Sequence, residues 1–178
     1  MLLEEKDNQT YQRMVIADIS KTHILAGKFI VIFLIASLQI FIMLAYSHFA
    51  LKVKWGNMIP ILVLSTASAF SVAGLGIIIA SLTYRAGNYR LANAFENVII
   101  QVMAFVGGSF FPIDVMPEVI RRMSFISLNG VALKAYLKII VGYNLADILK
   151  HVSILAITGI LLTLIGVVIF NKGVSENA

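Results

Sequence analysis

Three histidines, His23, His48 and His151, are the side chains of this sequence best suited to metal binding or proton transfer. They lie far apart and lack the spacing of a metal-ligand motif, and the chain contains no cysteine. The single Gly27-Lys28 pair lacks the upstream glycine of a phosphate-binding loop. We therefore expect no metal site, no cofactor site and no catalytic activity in this chain.

The amino-acid composition indicates the class of protein to which the chain belongs. Of the 178 residues 60% are hydrophobic and only 13% are charged, with a mean hydropathy of +0.92. Soluble domains carry about 25% charged residues. A helix that crosses a bilayer needs about 20 apolar residues. The sequence predicts an all-α membrane protein with four transmembrane helices, at about 27–51, 58–82, 91–111 and 151–170 within a membrane domain of 27–170.

Three polar side chains inside these predicted spans are candidates for a functional role or for contacts between helices. Charged residues in spans tend to be functional, which makes Glu96 a candidate, although an interfacial acid paired with Arg85 or Arg90 is the alternative. Gln39 and Gln101 are expected to bond across helices, either as packing contacts or as substrate contacts. We place His48 and His151, at the ends of spans, at the membrane interface.

Small residues fill the middle of the second span, where serine, threonine, alanine and glycine dominate residues 65–76. In lipid, small side chains let helices approach closely. We expect this stretch to pack against another helix rather than face lipid.

The stretch 112–150 holds two short helical patterns between the last two spans. Pro117 and Glu118 suit a helix start, by the fixed φ of proline and by the helix dipole respectively. We expect Pro112 to end the third span, Asn129-Gly130 to break the two helices apart and Gly142 to end the second one. Lys134 and Lys138 lie beside the apolar stripe of that second helix. The patterns predict amphipathic, re-entrant helices that pack against the membrane or the bundle; a solvated connector is the alternative.

The two ends of the chain are more polar than its middle. Residues 1–26 form a polar segment in which Tyr11, Met14 and Ile19 recur at helical spacing, and 171–178 form a short tail. The net charge of +5 suits contact with anionic membrane lipid, and no basic-aromatic module indicates a nucleic-acid partner. Lysine and arginine are balanced on the two sides of the spans, so charge alone does not orient them.

This order of features resembles the C-terminal part of an ABC-2 type transporter permease. The penultimate span of that family ends in a small-Gly-x-Phe-Phe-Pro pattern followed by a Leu/Met-Pro, which is matched here by Gly107, Gly108, Phe110, Phe111, Pro112, Met116 and Pro117. The segment before the first span is similar to the family's cytoplasmic coupling segment and keeps Arg13, Gly27 and Lys28, with Gln9 where glycine is usual. Asn129-Gly130 stands where the family has Asn-Pro.

The resemblance implies the permease subunit of an exporter in the plasma membrane, with cytoplasmic termini and a hydrophobic drug, antibiotic or lipid-like substrate. ATP and Mg²⁺ would bind a partner ATPase subunit, and a second permease chain would complete the pathway as a homo- or heterodimer. The implied ATPase-coupling residues are Tyr11, Arg13, Met14, Asp18 and Ile19. The implied outer gate consists of Phe110, Phe111, Pro112 and Pro117, with 112–150 extracellular.

Family members usually have six spans, so the resemblance implies that these four correspond to spans three to six of the family. The alternatives are a non-transporting assembly or anchor subunit and an inactive permease fragment. An ion-coupled carrier would need buried acids, for which Glu96 is the one candidate.

Overall fold

A computed structural model describes residues 21–86 and 89–176, and the side chains of 23–85, 93 and 97–172. The described residues form six α-helices, a single-turn 3₁₀-helix and no strand. The α-helices are α1 (Lys21–Phe49), α2 (Met58–Ala86), α3 (Tyr89–Val106), α4 (Glu118–Met123), α5 (Leu128–Ile140) and α6 (Leu145–Glu176). The 3₁₀-helix, Ile113–Val115, precedes α4. The all-α prediction is confirmed for the described part of the chain.

Three of the helices contain segments that are long and apolar enough to cross a membrane. These segments are His23–Phe49 in α1, Met58–Arg85 in α2 and Leu145–Lys172 in α6. The described apolar part of α3, Asn97–Val106, is shorter. In an apolar 18-residue stretch of each segment, 56% of the residues are buried in α2, against 17% in α6 and 6% in α1, so α2 is the central helix.

The seam between α2 and α6 is built on glycine. A Cβ at Gly74 would lie 2.5 Å from the Gly159 carbonyl oxygen, and a Cβ at Gly166 would lie 2.7 Å from the Ile77 side chain. Ser71, which is fully buried, lies on the same seam opposite Gly159. Close helix approach at small residues is therefore confirmed for the second span. Ser71 and Gly74 of α2 contact Gly159 of α6, whereas Ile77, later in α2, contacts Gly166, later in α6. The two helices therefore run parallel.

Two buried clusters mark the two ends of the bundle. At the proximal end, where α1 begins, Ile24 packs in one cluster with Tyr84 near the end of α2 and Phe170 near the end of α6. At the distal end, Leu64 near the start of α2 packs in the cluster that contains Ile148 near the start of α6. Since α2 ends at the proximal end and α6 begins at the distal end, the chain between them returns along the bundle. The helix that makes this return is α3.

The C-terminus of α3 is closed by a glycine turn. Gly108 has a φ of +85°, in the left-handed region. The Ser109 N–H donates to the Ala104 carbonyl at 3.0 Å and the Gly108 N–H donates to the Phe105 carbonyl at 3.2 Å, the two bonds of a Schellman cap. The expectation that Pro112 ends this helix is wrong, because the helix has already ended at Val106.

The start of α5 also differs from the sequence-based expectation. Asn129 and Gly130 lie in the first turn of α5 and do not break the chain between two helices. The side chain of Ser127 caps this turn by accepting a hydrogen bond from the Gly130 N–H at 3.4 Å. The expected helix starts and stops elsewhere are confirmed: Pro117 is the N-cap of α4, and Gly142, with a φ of +97°, follows the end of α5.

Candidate functional site

The distal end of the bundle is covered by residues 107–142, which we call the distal cap. It contains the turn after α3, the 3₁₀-helix, α4 and α5. One face of α5, formed by Val131, Ala135 and Ile139, is almost completely buried in the distal cluster with Leu64 and Leu155. The distal cap is thus packed into the bundle through α5, so movement of the cap requires this face to separate from α2 and α6.

Tyr136 connects the distal cap to two other parts of the bundle. Its Oη lies 2.8 Å from the Oγ of Ser65, which is 4% exposed on α2. Its ring makes an edge contact with the Trp55 ring, at 5.9 Å between centroids. The Trp55 indole N–H in turn donates to the Ser47 Oγ of α1 at 2.9 Å. Together these contacts tie α1, α2 and α5 at the distal end.

A second junction joins the distal cap to α3. The Ser127 hydroxyl donates to the Met103 carbonyl of α3 at 2.8 Å while it caps α5. Gly107 is buried there, and a Cβ added to it would lie 2.7 Å from the Ser127 Oγ and 2.9 Å from the Gly130 nitrogen. Only glycine permits this approach of the two backbones. Gly107, one of the residues that carry the family resemblance, therefore has a packing role in this chain.

Lys134 holds α4 and α5 together within the distal cap. Its ammonium donates to the Ser124 Oγ at 2.7 Å and lies 3.7 Å from the centroid of the Phe125 ring. Burial lowers the pKa of Lys134 from its usual value of 10.5, the nearby Asp114 carboxylate partly offsets this, and the Arg121 charge lowers the pKa further.

The expected gate residues lie on the outer surface of the cap. Phe110 and Phe111 are each 58% exposed, and Pro112 and Pro117 are also exposed. Phe111 makes an edge contact with Phe105 of α3, at 6.5 Å between ring centroids. In this conformation the four expected gate residues present an apolar surface and do not plug the bundle.

An apolar cavity of about 530 Å³ lies between α1, α2 and α6. Its lining includes Phe33 of α1, Thr66 and Phe70 of α2, and Ile160 of α6. The Thr66 hydroxyl donates to the carbonyl of Leu62 in its own helix at 2.8 Å, so that hydroxyl hydrogen is already used. The cavity has the volume of a small-molecule site, and its walls suit an apolar guest.

Comparison with known proteins identifies the family of this chain of apolar helices with its Gly-Ser-Phe-Phe-Pro segment. A family model described as ABC-2 family transporter protein matches residues 1–168. The chain belongs to the ABC-2 transporter family. As a member of this family with three helices long enough to cross a bilayer, it is a membrane-embedded protein.

Curated relatives of this ABC-2 chain include permeases of the resistance and multidrug type. The chain is 29% identical over 155 residues to the linearmycin resistance permease protein LnrN of Bacillus subtilis strain 168, covering 86% of this chain and 40% of that protein. It is 24% identical over 127 residues to the probable multidrug ABC transporter permease YbhS of Escherichia coli K12, covering 71% of this chain and 33% of YbhS. The chain thus spans two fifths or less of these relatives' length. No solved structure matches it.

Not all site residues expected of an ABC-2 permease fall in the described structure. Gln39 and Gln101 are exposed, and neither forms a side-chain hydrogen bond to another helix within the described residues. Glu96 belongs to α3, but its side chain is outside the described residues. The expected coupling residues, Tyr11, Arg13, Met14, Asp18 and Ile19, lie outside them as well.

Two features of this ABC-2 chain were missed in the sequence. The Tyr136 junction depends on residues separated by 71 positions, for which the sequence carries no local signal. The second feature is a basic cavity at the distal end, lined by Lys138 and His151 among others. The spacing of Lys134 and Lys138, together with the Lys150-His151 pair at the next helix start, is the signal that was available.

Proposed function

We propose that this chain is the membrane-spanning part of an ABC exporter's permease subunit, which moves a hydrophobic substrate out of the cell. Family membership is the observation that carries this proposal. The relatives' names support it, since one is a linearmycin resistance permease and another a multidrug permease. The apolar cavity between α1, α2 and α6 gives a hydrophobic molecule a place to enter from the lipid.

The proposed topology has four crossings, with α3 as the third. Its support is the parallel arrangement of α2 and α6, which requires the intervening chain to travel from the proximal to the distal end. At 1.5 Å per residue the 18 residues of α3 extend about 27 Å, close to the thickness of a bilayer core. The α4 and α5 helices then re-enter the distal side as a cover over the bundle.

In the proposed orientation the proximal end and both termini are cytoplasmic and the plasma membrane is the location. The distal cap then lies at the outer leaflet. Its α4 has no buried residue, and it exposes Val119 and Met123 together with Arg121 and Arg122. An exposed apolar stripe beside two arginines fits a helix that lies in the headgroup region.

The energy for transport would come from another subunit. In this proposal an ABC ATPase binds ATP and Mg²⁺ and docks on the segment 1–26, through Tyr11, Arg13, Met14, Asp18 and Ile19. A helix seated in a groove is a common way to pass on such motion. A second permease chain completes the pathway, and the exposed apolar face of α1, which includes Leu34, Leu38 and Phe41, is available to it or to lipid.

Docking of the ATPase is tested by co-purification of the tagged chain with a co-expressed ABC ATPase. We expect Tyr11→Ala, Arg13→Glu and Ile19→Ala each to reduce the retained ATPase by about tenfold or more, the cost of losing a central interface residue. Lys172→Ala changes an exposed residue at the same proximal end and serves as the matched control. Full ATPase retention by all three coupling variants would refute the docking assignment.

The rival role is a membrane anchor that assembles with the ATPase without moving a substrate. The two roles differ in one observable result. An anchor would retain the ATPase in the co-purification and yet support no ATP-dependent movement of a hydrophobic probe. A permease would give both.

A further inference from the structure

A basic cavity of about 440 Å³ lies between α5 and α6 at the distal end, separate from the apolar cavity. Its polar lining consists of Lys134 and Lys138 of α5 and Lys150 and His151 of α6. Most of its wall is nevertheless apolar and includes Phe125, Leu137 and Ile154. Four basic side chains from two helices thus converge on one space, and no carboxylate lines it.

The three lysines have no acidic partner within ion-pair distance among the described residues. The Lys134 ammonium donates to the Ser124 hydroxyl, and the Lys138 ammonium lies 6.0 Å from the Tyr143 ring centroid. The Asp114 carboxylate attracts Lys134 from outside the cavity. Like charges gathered without a counter-ion repel one another, so an anion bound among them would be favoured.

His151 adds a fourth polar side chain to the wall of the cavity. The residue is 8% exposed and lines the cavity, and its Nδ1 is buried without a hydrogen-bond partner. A buried polar atom left unpaired is costly, and such atoms are uncommon in folded proteins. A ligand with hydrogen-bonding oxygens would satisfy the neighbouring ammonium groups, and it would reach the Nδ1 only after the imidazole ring turns towards the cavity.

The position of the cavity distinguishes a lipid from a free anion. Lys150 and His151 lie early in α6, near the start of its apolar segment Leu145–Lys172. Beyond them the surface of α6 is apolar, with Ile157 and Leu161 more than half exposed. A phosphate held by the lysines would therefore have room for acyl chains along α6, and the lysine stems would pack beside them.

We propose that this cavity binds the phosphate of an anionic phospholipid, with the lysines and His151 as its ligands and α6 as the surface for its acyl chains. A zwitterionic lipid would bring a positive choline towards the same lysines and would bind less well. Bound lipid would join α5 to α6 and so hold the distal cap on the bundle. Lipid binding requires neither an ATPase nor transport, so it can succeed or fail independently of the proposed export function.

Native mass spectrometry of the full 178-residue chain in detergent tests the proposal directly. Phosphatidylglycerol, phosphatidylcholine and inorganic phosphate are the three probes. We expect phosphatidylglycerol to bind roughly tenfold more tightly than phosphatidylcholine, and the double variant Lys138→Gln/Lys150→Gln to lose most of that preference. The single variant Lys150→Gln alters an exposed residue, so it keeps the test valid if the double variant does not fold.

Lys54→Gln is the matched control, because it removes one exposed lysine at the distal end but outside the cavity. It should keep the full preference for phosphatidylglycerol. Equal binding of the two lipids, or an equal loss in Lys54→Gln and Lys150→Gln, would overturn the site. Inorganic phosphate that displaced phosphatidylglycerol at equal concentration would overturn the lipid assignment and leave a free anion as the ligand.

Discussion

The Oη of Tyr136 in α5 lies 2.8 Å from the Oγ of Ser65 in α2, and this bond joins the distal cap to the central helix of the bundle. Ser65 is buried, so loss of its partner leaves a hydroxyl without water to replace the bond. The stability of the distal cap and the stability of the bundle therefore both depend on this hydrogen bond.

Tyr136→Phe should lower the free energy of unfolding by about 1 kcal/mol, because it removes one buried hydrogen bond while it keeps the ring against Trp55. For a chain of this size that corresponds to a fall in Tm of about 2–4 °C. Thermal unfolding in detergent measures it. Tyr46→Phe, at an exposed tyrosine of α1, is the control. Ser65→Ala should cost little more in the Tyr136→Phe background, and fully additive effects would show that the bond contributes nothing.

Gly74→Ala should destabilise the seam between α2 and α6 by about 1–3 kcal/mol, the usual cost of forcing extra volume into a packed interior. The new methyl would meet the Gly159 carbonyl at 2.5 Å, and backbone cannot move aside as a side chain can. Gly27→Ala makes the same change in α1, where the methyl would meet no atom within 4 Å. Equal Tm values for the two variants would contradict the close approach of α2 to α6 at Gly74.

Residues 65–76 show how far the sequence could predict this fold. Their small side chains predict a helix interface, and the structure places Gly74 in one. The partner helix is not predictable, because α6 carries its matching Gly159 and Gly166 far along the chain. Local hydrophobicity and residue size are visible in a sequence, whereas the pairing of distant helices depends on their mutual fit.

The errors at Pro112 and at Asn129-Gly130 have one physical origin. Proline and Asn-Gly are strong local signals for the interruption of a helix. The residues around them decide where the helix actually ends. Gly108 ends α3 first, through a left-handed turn that a local rule could have favoured. Gly130 is helical because Ser127 caps the start of the helix. The backbone of Gly107 lies close to it, so this helical position requires a residue without a side chain.

The Lys134 pKa makes a prediction with a definite sign. Its folded value lies below the usual 10.5, chiefly because burial disfavours the charged form. Between the folded pKa and 10.5 the unfolded chain therefore holds more protons, so this residue makes stability rise with pH in that window. Below this pH window Lys134 is charged in both the folded and the unfolded chain. Its full destabilising contribution to the free energy of unfolding is then present.

NMR of ¹³C-methylated lysines measures this titration. Asp114→Asn should lower the Lys134 pKa further, since the carboxylate raises it, and Arg121→Gln should raise it. Lys134→Gln identifies the resonance. A Lys134 pKa above 10.5, or a rise in Asp114→Asn, would contradict the described environment.

The proposed four-crossing topology can be tested by cysteine labelling, since the sequence contains no cysteine of its own. Lys54→Cys and Arg121→Cys should react with a membrane-impermeant maleimide added outside intact cells. Lys172→Cys should react only after the membrane is opened. Labelling of Arg121→Cys from the side opposite to Lys54→Cys would show that α3 does not carry the chain across.

ATP-driven uptake of a hydrophobic fluorescent probe into inside-out membrane vesicles tests the export proposal most directly. The vesicles contain the chain together with an ABC ATPase that co-purifies with it. We predict accumulation of the probe that requires ATP and Mg²⁺ and disappears when the chain is omitted. An assembled chain–ATPase complex in sealed vesicles that accumulates no probe would contradict export and leave the anchoring role.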